Sequence, residues 1–183
     1  MRGALSLVLA ACALVLGNGP AAAQEVHRVG LTAGYPAAVG LVWQVSDRFA
    51  LRPDVSITRT ATNSRGGFDS ETTTDSWSVG VGLSGLIYIT SWEDLRAYLS
   101  PRFAYTRYRA TSDYYAWNHR DSTKGRNYAL SGSFGAEYTL ARRFSVYFEA
   151  GLGYSDQHQR GSYSYNDESS WSTRTAVGAV FYF

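Results

Sequence analysis

The sequence predicts an all-β chain: eight antiparallel strands closed into an up-and-down barrel that crosses a membrane. Three observations predict it. Apolar and polar residues alternate with period two in eight separate segments. The links between those segments alternate between short and long. The chain ends on an aromatic run, "AVGAVFYF", with Phe183 as its last residue. Composition agrees: Tyr 14 and Gly 18 are high, Pro 4 is low, and charged residues are only 17%.

The chain opens with "MRGALSLVLAACALVLGNGPAAAQ". Arg2 is the only charge before Glu25, an apolar run covers Ala4 to Leu16, and Ala21-Ala22-Ala23 offers a small-residue cleavage site. This is the pattern of a secretory signal peptide, so residues 1–23 are expected as signal and 24–183 as the barrel domain. The run is shorter than the roughly 20 apolar residues a membrane helix needs. Leu9 to Cys12, "LAAC", resembles a lipoprotein processing box, but it lies inside the apolar run and leaves too short a signal before it. Loss of the signal removes Cys12, the sole cysteine, so no disulfide is expected. The remaining charges nearly balance, which gives no reason to expect a nucleic-acid partner.

The strands follow in order. Val29, Leu31 and Ala33 alternate with Gly30 and Thr32. Val39, Leu41, Trp43 and Val45 form the second apolar face; Phe49, Leu51, Val55 and Ile57 the third. Trp77, Val79, Val81, Leu83, Ile87 and Ile89 form the fourth; Leu95, Ala97, Leu99, Phe103 and Tyr105 the fifth. Tyr128, Leu130, Phe134, Ala136, Tyr138 and Leu140 form the sixth; Phe144, Val146, Phe148, Ala150, Leu152 and Tyr154 the seventh. The eighth carries Trp171, Thr173, Thr175, Val177, Ala179, Phe181 and Phe183. Pro53 and Pro101 fall inside strands, yet apolar parity agrees on both sides of each, so no register change is expected there.

Tight turns are predicted at Ser46-Asp47-Arg48, Ser91 to Asp94 and Ala141-Arg142-Arg143, and long polar loops at 61–75, 111–126 and 158–170. The first hairpin has a short link near Tyr35-Pro36-Ala37. Short turns on one side and long loops on the other, with an even strand number, put both termini on the periplasmic side. Lipid cannot satisfy backbone polar groups, so the sheet must close and turn its apolar face outward.

Eight strands leave an interior that side chains just fill. Parity puts Arg28, Arg52, Asp54, Arg96, Arg102, Glu137 and Glu149 there. Charges in such a place persist only when paired, so an Arg–carboxylate network plugging the lumen is expected. A hydrated lumen with loose pairs, a narrow channel for small solutes, is the alternative.

Gly178, Phe181 and Phe183 stand in the G-x-x-aromatic-x-Phe pattern of outer-membrane barrel C-termini, although Ala176 replaces the polar residue usual before the glycine. The whole mature segment resembles the small eight-stranded outer-membrane β-barrel family, of the OmpX and OmpA transmembrane-domain type. The resemblance implies residence in the outer membrane among lipid and lipopolysaccharide. It implies recognition of the last strand by the barrel-assembly machinery, a monomer, and a role in envelope structure, adhesion or interaction. It implies no cofactor. Tyr114, Tyr115, Trp117, Tyr163 and Tyr165 in the long loops are residue types suited to contacting a surface protein or glycan; the same aromatics could instead anchor at the membrane interface.

Some small barrels modify lipid A. His158 with Ser162 or Ser164 and Glu168 is the one arrangement that could be drawn as a triad, but loop residues rarely hold triad geometry. His119, Asp113 and Asp121 show no metal-ligand spacing. The expectation is a non-enzymatic protein.

Overall fold

A computed structural model describes residues 29–36, 38–65, 71–114, 119–161 and 165–183. The expected signal segment and Arg28 lie outside the described residues, as do Tyr115, Trp117, Ser162, Tyr163 and Ser164.

Eight strands form one closed antiparallel barrel in chain order: β1 Val29–Tyr35, β2 Ala38–Ser46, β3 Phe49–Arg65, β4 Glu71–Trp92, β5 Leu95–Tyr114, β6 His119–Ala141, β7 Phe144–Arg160 and β8 Tyr165–Tyr182. β1 and β8 close the ring, Gly30 facing Tyr182 and Tyr35 facing Val177. The Phe183 N–H donates to the Val29 carbonyl at 3.0 Å, fastening the end of β8 to the start of β1.

The strands are strongly staggered. A circuit perpendicular to the strands runs Ala33, Val39, Val55, Val81, Tyr105, Tyr128, Asp156, Ser169. Ala33 itself faces Ala179, ten residues along β8 from Ser169. That stagger tilts the strands by about 40° and fixes the radius of the cylinder.

The register is the same on both sides of Pro53 and Pro101: β3–β4 and β5–β6 pair through them, while the β2–β3 and β4–β5 ladders each skip two residue pairs there and resume unshifted. The three register shifts, at Gln44/Ser46, Tyr88/Thr90 and Thr139/Ala141, all sit beside the tight turns. There the turn geometry, not side-chain parity, sets the pairing.

The long polar segments differ from expectation. Most of 61–75, 111–126 and 158–170 is strand, not loop: β3 pairs with β4 out to Arg65 and Glu71, and β5 with β6 out to Tyr114 and His119. β7 pairs with β8 out to Arg160 and Tyr165. Above a membrane both faces of a hairpin meet water, so alternation disappears while pairing continues. Threonine-rich stretches such as Thr72-Thr73-Thr74 suit such a wall.

Apolar residues face outward over the lower part of every strand. Val81, Leu83, Leu99, Phe103, Phe134, Phe148 and Val177 are exposed, whereas Arg52, Asp54, Glu137 and Glu149 are buried inside. Bare in water, that band would be a large aggregation surface; against acyl chains it is satisfied. Aromatic rows bound it. Trp77, Tyr105, Tyr128, Tyr154 and Trp171 form the upper row, with the neighbours Tyr105–Tyr128 and Tyr154–Trp171 at 5.1 and 5.3 Å between ring centres. Trp92, Tyr138, Phe144, Phe181 and Phe183 mark the lower one. Immediately above the upper row, outward positions turn polar and charged: Arg59, Asp75, Arg107, Arg109, Lys124 and Arg126.

Candidate functional site

The interior is packed in three tiers. The lowest centres on Glu137 of β6. Arg96 of β5 reaches both carboxylate oxygens at 3.0 Å. The Tyr88 and Tyr182 hydroxyls donate to the same carboxylate at 3.1 and 2.8 Å. Arg96 also donates to Gln44 Oε1 at 3.3 Å and lies 4.4 Å over the Tyr88 ring. Val42, Ala50, Leu86 and Val180 belong to the same buried cluster as Tyr88 and Tyr182.

The middle tier centres on Glu149 of β7, which is fully buried. Arg52 of β3 donates to Oε1 at 2.5 Å and Tyr98 of β5 donates to the same oxygen at 3.1 Å. Arg174 of β8 takes Oε2 at 3.1 Å and the Ser133 hydroxyl at 3.2 Å. The Arg52 guanidinium lies 4.8 Å from the centre of the Tyr147 ring. The upper tier pairs Arg102 of β5 with Asp54 of β3 through two parallel bonds, Nη2 to Oδ1 at 2.8 Å and Nη1 to Oδ2. Such fork-to-fork pairing is what arginine, and not lysine, provides.

Small residues make the room. A Cβ on Gly135 would strike the Tyr98 ring at 2.5 Å, and one on Gly178 would strike Tyr147 at 2.6 Å. Gly178 therefore has a packing role in this barrel: its missing side chain seats a tyrosine. Phe181 and Phe183 point into the lower aromatic row, their rings 5.7 Å apart.

Six of the seven lumen residues read from parity lie in these tiers, and the seventh, Arg28, is outside the described residues. Arg174 shares their parity and completes the middle tier, although it was not among the candidates. The tyrosines were missed too. Tyr88, Tyr98, Tyr147 and Tyr182 all sit on polar-face positions, and a phenol on the inner face of a narrow barrel is itself a signal for a carboxylate partner.

The imagined triad does not form. His158 and Glu168 face opposite sides of the wall, since His158 is registered with Asp167 and Glu168 with Gln157. His158 Nδ1 instead meets Asp167 Oδ1 at 2.6 Å on the outer surface, where Tyr165 also donates to Asp167 at 2.9 Å. The bond to His158 holds the Asp167 carboxyl below its ordinary range; desolvation opposes it, and the Tyr165 bond adds to the lowering. Of the loop aromatics, Tyr114 ends β5 and Tyr165 begins β8.

No family model and no curated protein matches the chain. Solved structures do. A major outer membrane protein from Thermus thermophilus superposes with a TM-score of 0.59 at 11% identity, over 87% of this chain and 100% of that one. The fold is that of an outer-membrane barrel. CarO from Acinetobacter baumannii gives 0.47 at 14% identity, covering 88% of this chain and 100% of that one. Ail, the attachment invasion locus protein of Yersinia pestis, gives 0.45 at 10%, covering 86% and 93%. The barrel fold with its acyl-facing wall places this protein in the outer membrane.

Proposed function

We propose that this outer-membrane barrel is a non-enzymatic envelope protein whose lumen is closed to solutes and whose work is done on its outer and external surfaces. The observation that carries this reading is the pair Glu137 and Glu149. Each is buried and each is held at once by arginine and tyrosine. An ion or sugar moving along the axis would have to break both sets. Planar-bilayer recording of the purified protein tests it: no conductance steps are expected, and a stable open conductance would overturn the reading in favour of a narrow channel.

The partners follow from the outer wall. The outward cations Arg107, Arg109, Lys124, Arg126 and Arg160 lie above the aromatic row, on β5, β6 and β7, at the level of anionic lipopolysaccharide headgroups. Gly178, Phe181 and Phe183 would serve the barrel-assembly machinery, and the hairpin tips around Tyr114 and Tyr165 a surface protein or glycan. Deleting residues 113–122 should reduce adhesion to host or abiotic surfaces; unchanged adhesion would count against that role. Lipid A of unaltered mass after overexpression is expected, and a new mass would indicate an enzyme.

A further inference from the structure

The barrel wall is uneven in height. The last β8 residue that β1 holds is Val177, and the last β3 residue that β2 holds is Val55. Beyond those points β3 continues to Arg65 and β8 to Tyr165, laddered among the described residues only to β4 and β7. Three strand spacings, about 14 Å, separate β3 from β8 there. Two rows of backbone N–H and C=O groups thus border a notch in the wall.

The notch reaches into the membrane. Trp171 of the upper aromatic row stands six residues beyond Val177 on β8. Tilted strands climb about 2.5 Å per residue, so the floor lies roughly 15 Å below that row on the β8 side. On β3 the apolar wall ends after Ile57, two residues beyond Val55, which puts the floor about 5 Å below the boundary. An open sheet edge at this depth survives only where it is covered by protein or lines a polar, water-accessible cavity. The residues agree: Thr173 and Thr175 are the outward side chains of β8 along the notch, while their ladder partners on β7 are Leu152 and Ala150.

Behind the notch is a cavity of about 90 Å³, lined by Thr32, Arg52, Asp54, Arg102, Tyr147 and Arg174 among others. Arg102 and Arg174 keep side-chain exposures of 16% and 21%, against 5% for Arg52, so these two are the more accessible of the three arginines that line it. The tiers here hold three arginines, Arg52, Arg102 and Arg174, against two carboxylates, Asp54 and Glu149. One formal positive charge is left over. A monoanion neutralises it; a phosphate dianion overshoots, and a neutral lipid leaves it bare. Each rim also carries one large exposed apolar side chain, Ile57 at 71% on β3 and Trp171 at 76% on β8.

From this geometry we infer a lateral binding site for a long-chain carboxylate, entered from the outer leaflet. The carboxylate meets Arg174 and Arg102, and the acyl chain leaves between β3 and β8 past Ile57 and Trp171. This goes beyond the closed-lumen reading, because the ligand enters through the side of the barrel and ends on top of the plug.

The test uses the folded protein in nanodiscs of zwitterionic lipid, with palmitate as probe and methyl palmitate as its uncharged counterpart. Saturable palmitate binding is expected, at least tenfold tighter than the ester and at least tenfold weaker in Arg174→Gln. A fatty acid carrying a nitroxide in its chain should broaden amide signals of Ser56–Thr60 and Ser170–Thr175 selectively. Non-saturable uptake, equal binding of acid and ester, or broadening spread evenly around the apolar band would overturn the proposal. The acid–ester comparison on the wild-type protein decides the matter even if Arg174→Gln misfolds. Bilayer conductance is a separate readout, so a conducting lumen and an empty notch are distinguishable failures.

Discussion

The lower and upper halves of this barrel obey different rules. Below the upper aromatic row, lipid lies outside and a narrow interior lies within, and every residue is committed to one or the other. Leu99 faces acyl chains while its neighbour Ser100 is fully buried. Above that row water reaches both faces of the six tall strands. There Arg59 pairs with Asp75 on the outer surface at 2.8 and 3.2 Å, as two solvated side chains. The same β-pairing runs through both halves, so hydrogen bonding does not distinguish them. What differs is the contrast between the two faces, and with it the penalty for a wrong residue.

That contrast can be broken or sharpened by substitution. The largest effect is expected from Glu149→Leu, which leaves the buried Arg52 and the part-buried Arg174 without their acceptor. A loss of about 3–5 kcal/mol is expected, read as a fall in the urea midpoint of refolding into detergent. A wild-type midpoint would mean that the middle tier contributes nothing. Gly135→Ala pushes a methyl group into the Tyr98 ring, and overpacking of this kind costs about 1–3 kcal/mol. Heat-modifiable gel migration that persists to the same temperature as in the wild type would contradict it. Asp54→Leu combined with Arg102→Met removes the upper pair as a unit. It should be neutral or stabilising by up to about 4 kcal/mol, since both desolvation costs vanish together. A large destabilisation would show that this pair is a structural necessity.

In the upper half the same measurements should read almost nothing. Arg59→Ala removes an exposed ion pair and should leave the unfolding midpoint unchanged within error; a clear shift would place that pair in a less solvated setting. The smallest effect concerns pH. Asp167 has a carboxyl lowered from 3.8, chiefly by its bond to His158. Its contribution is therefore present above 3.8 and is lost as the pH falls through the lowered value. Amide exchange near the top of the β7–β8 hairpin should quicken over that acid range in excess of the intrinsic rate change, and the excess should vanish in Asp167→Asn.

The same contrast governs what can be read from the sequence. Where lipid opposes a packed lumen, parity sorts Arg52, Glu137 and Glu149 from Phe103, Phe134 and Phe148 without ambiguity. Above the membrane, Thr72-Thr73-Thr74 and Asp75 offer no such sorting. Polarity there reads as loop, although the chain continues as strand. Arg174 is hard to read as a lumen charge because it stands between Thr173 and Thr175 rather than between bulky apolar neighbours. Those threonines, pale as lipid-facing residues, are themselves explained by the missing strand beside them. The short reach of β1 and β2 is visible as the early Tyr35-Pro36 link, but its consequence for the wall depends on the register of β3 and β8, which only coordinates supply.

The bonding of Glu149 also bears on the order of assembly. Its partners Arg52, Tyr98 and Arg174 come from β3, β5 and β8, separated from it by 97, 51 and 25 residues. Arg174 stands on the neighbouring strand, but Arg52 lies four strands away and meets Glu149 only after the cylinder has curled round, so the complete tier is expected to form late, after the rate-limiting step. Weakening it should therefore leave the rate of insertion nearly constant and shorten the lifetime of the inserted state instead. In that sense the ionic centre acts as a latch on a finished object rather than as the seed from which it grows.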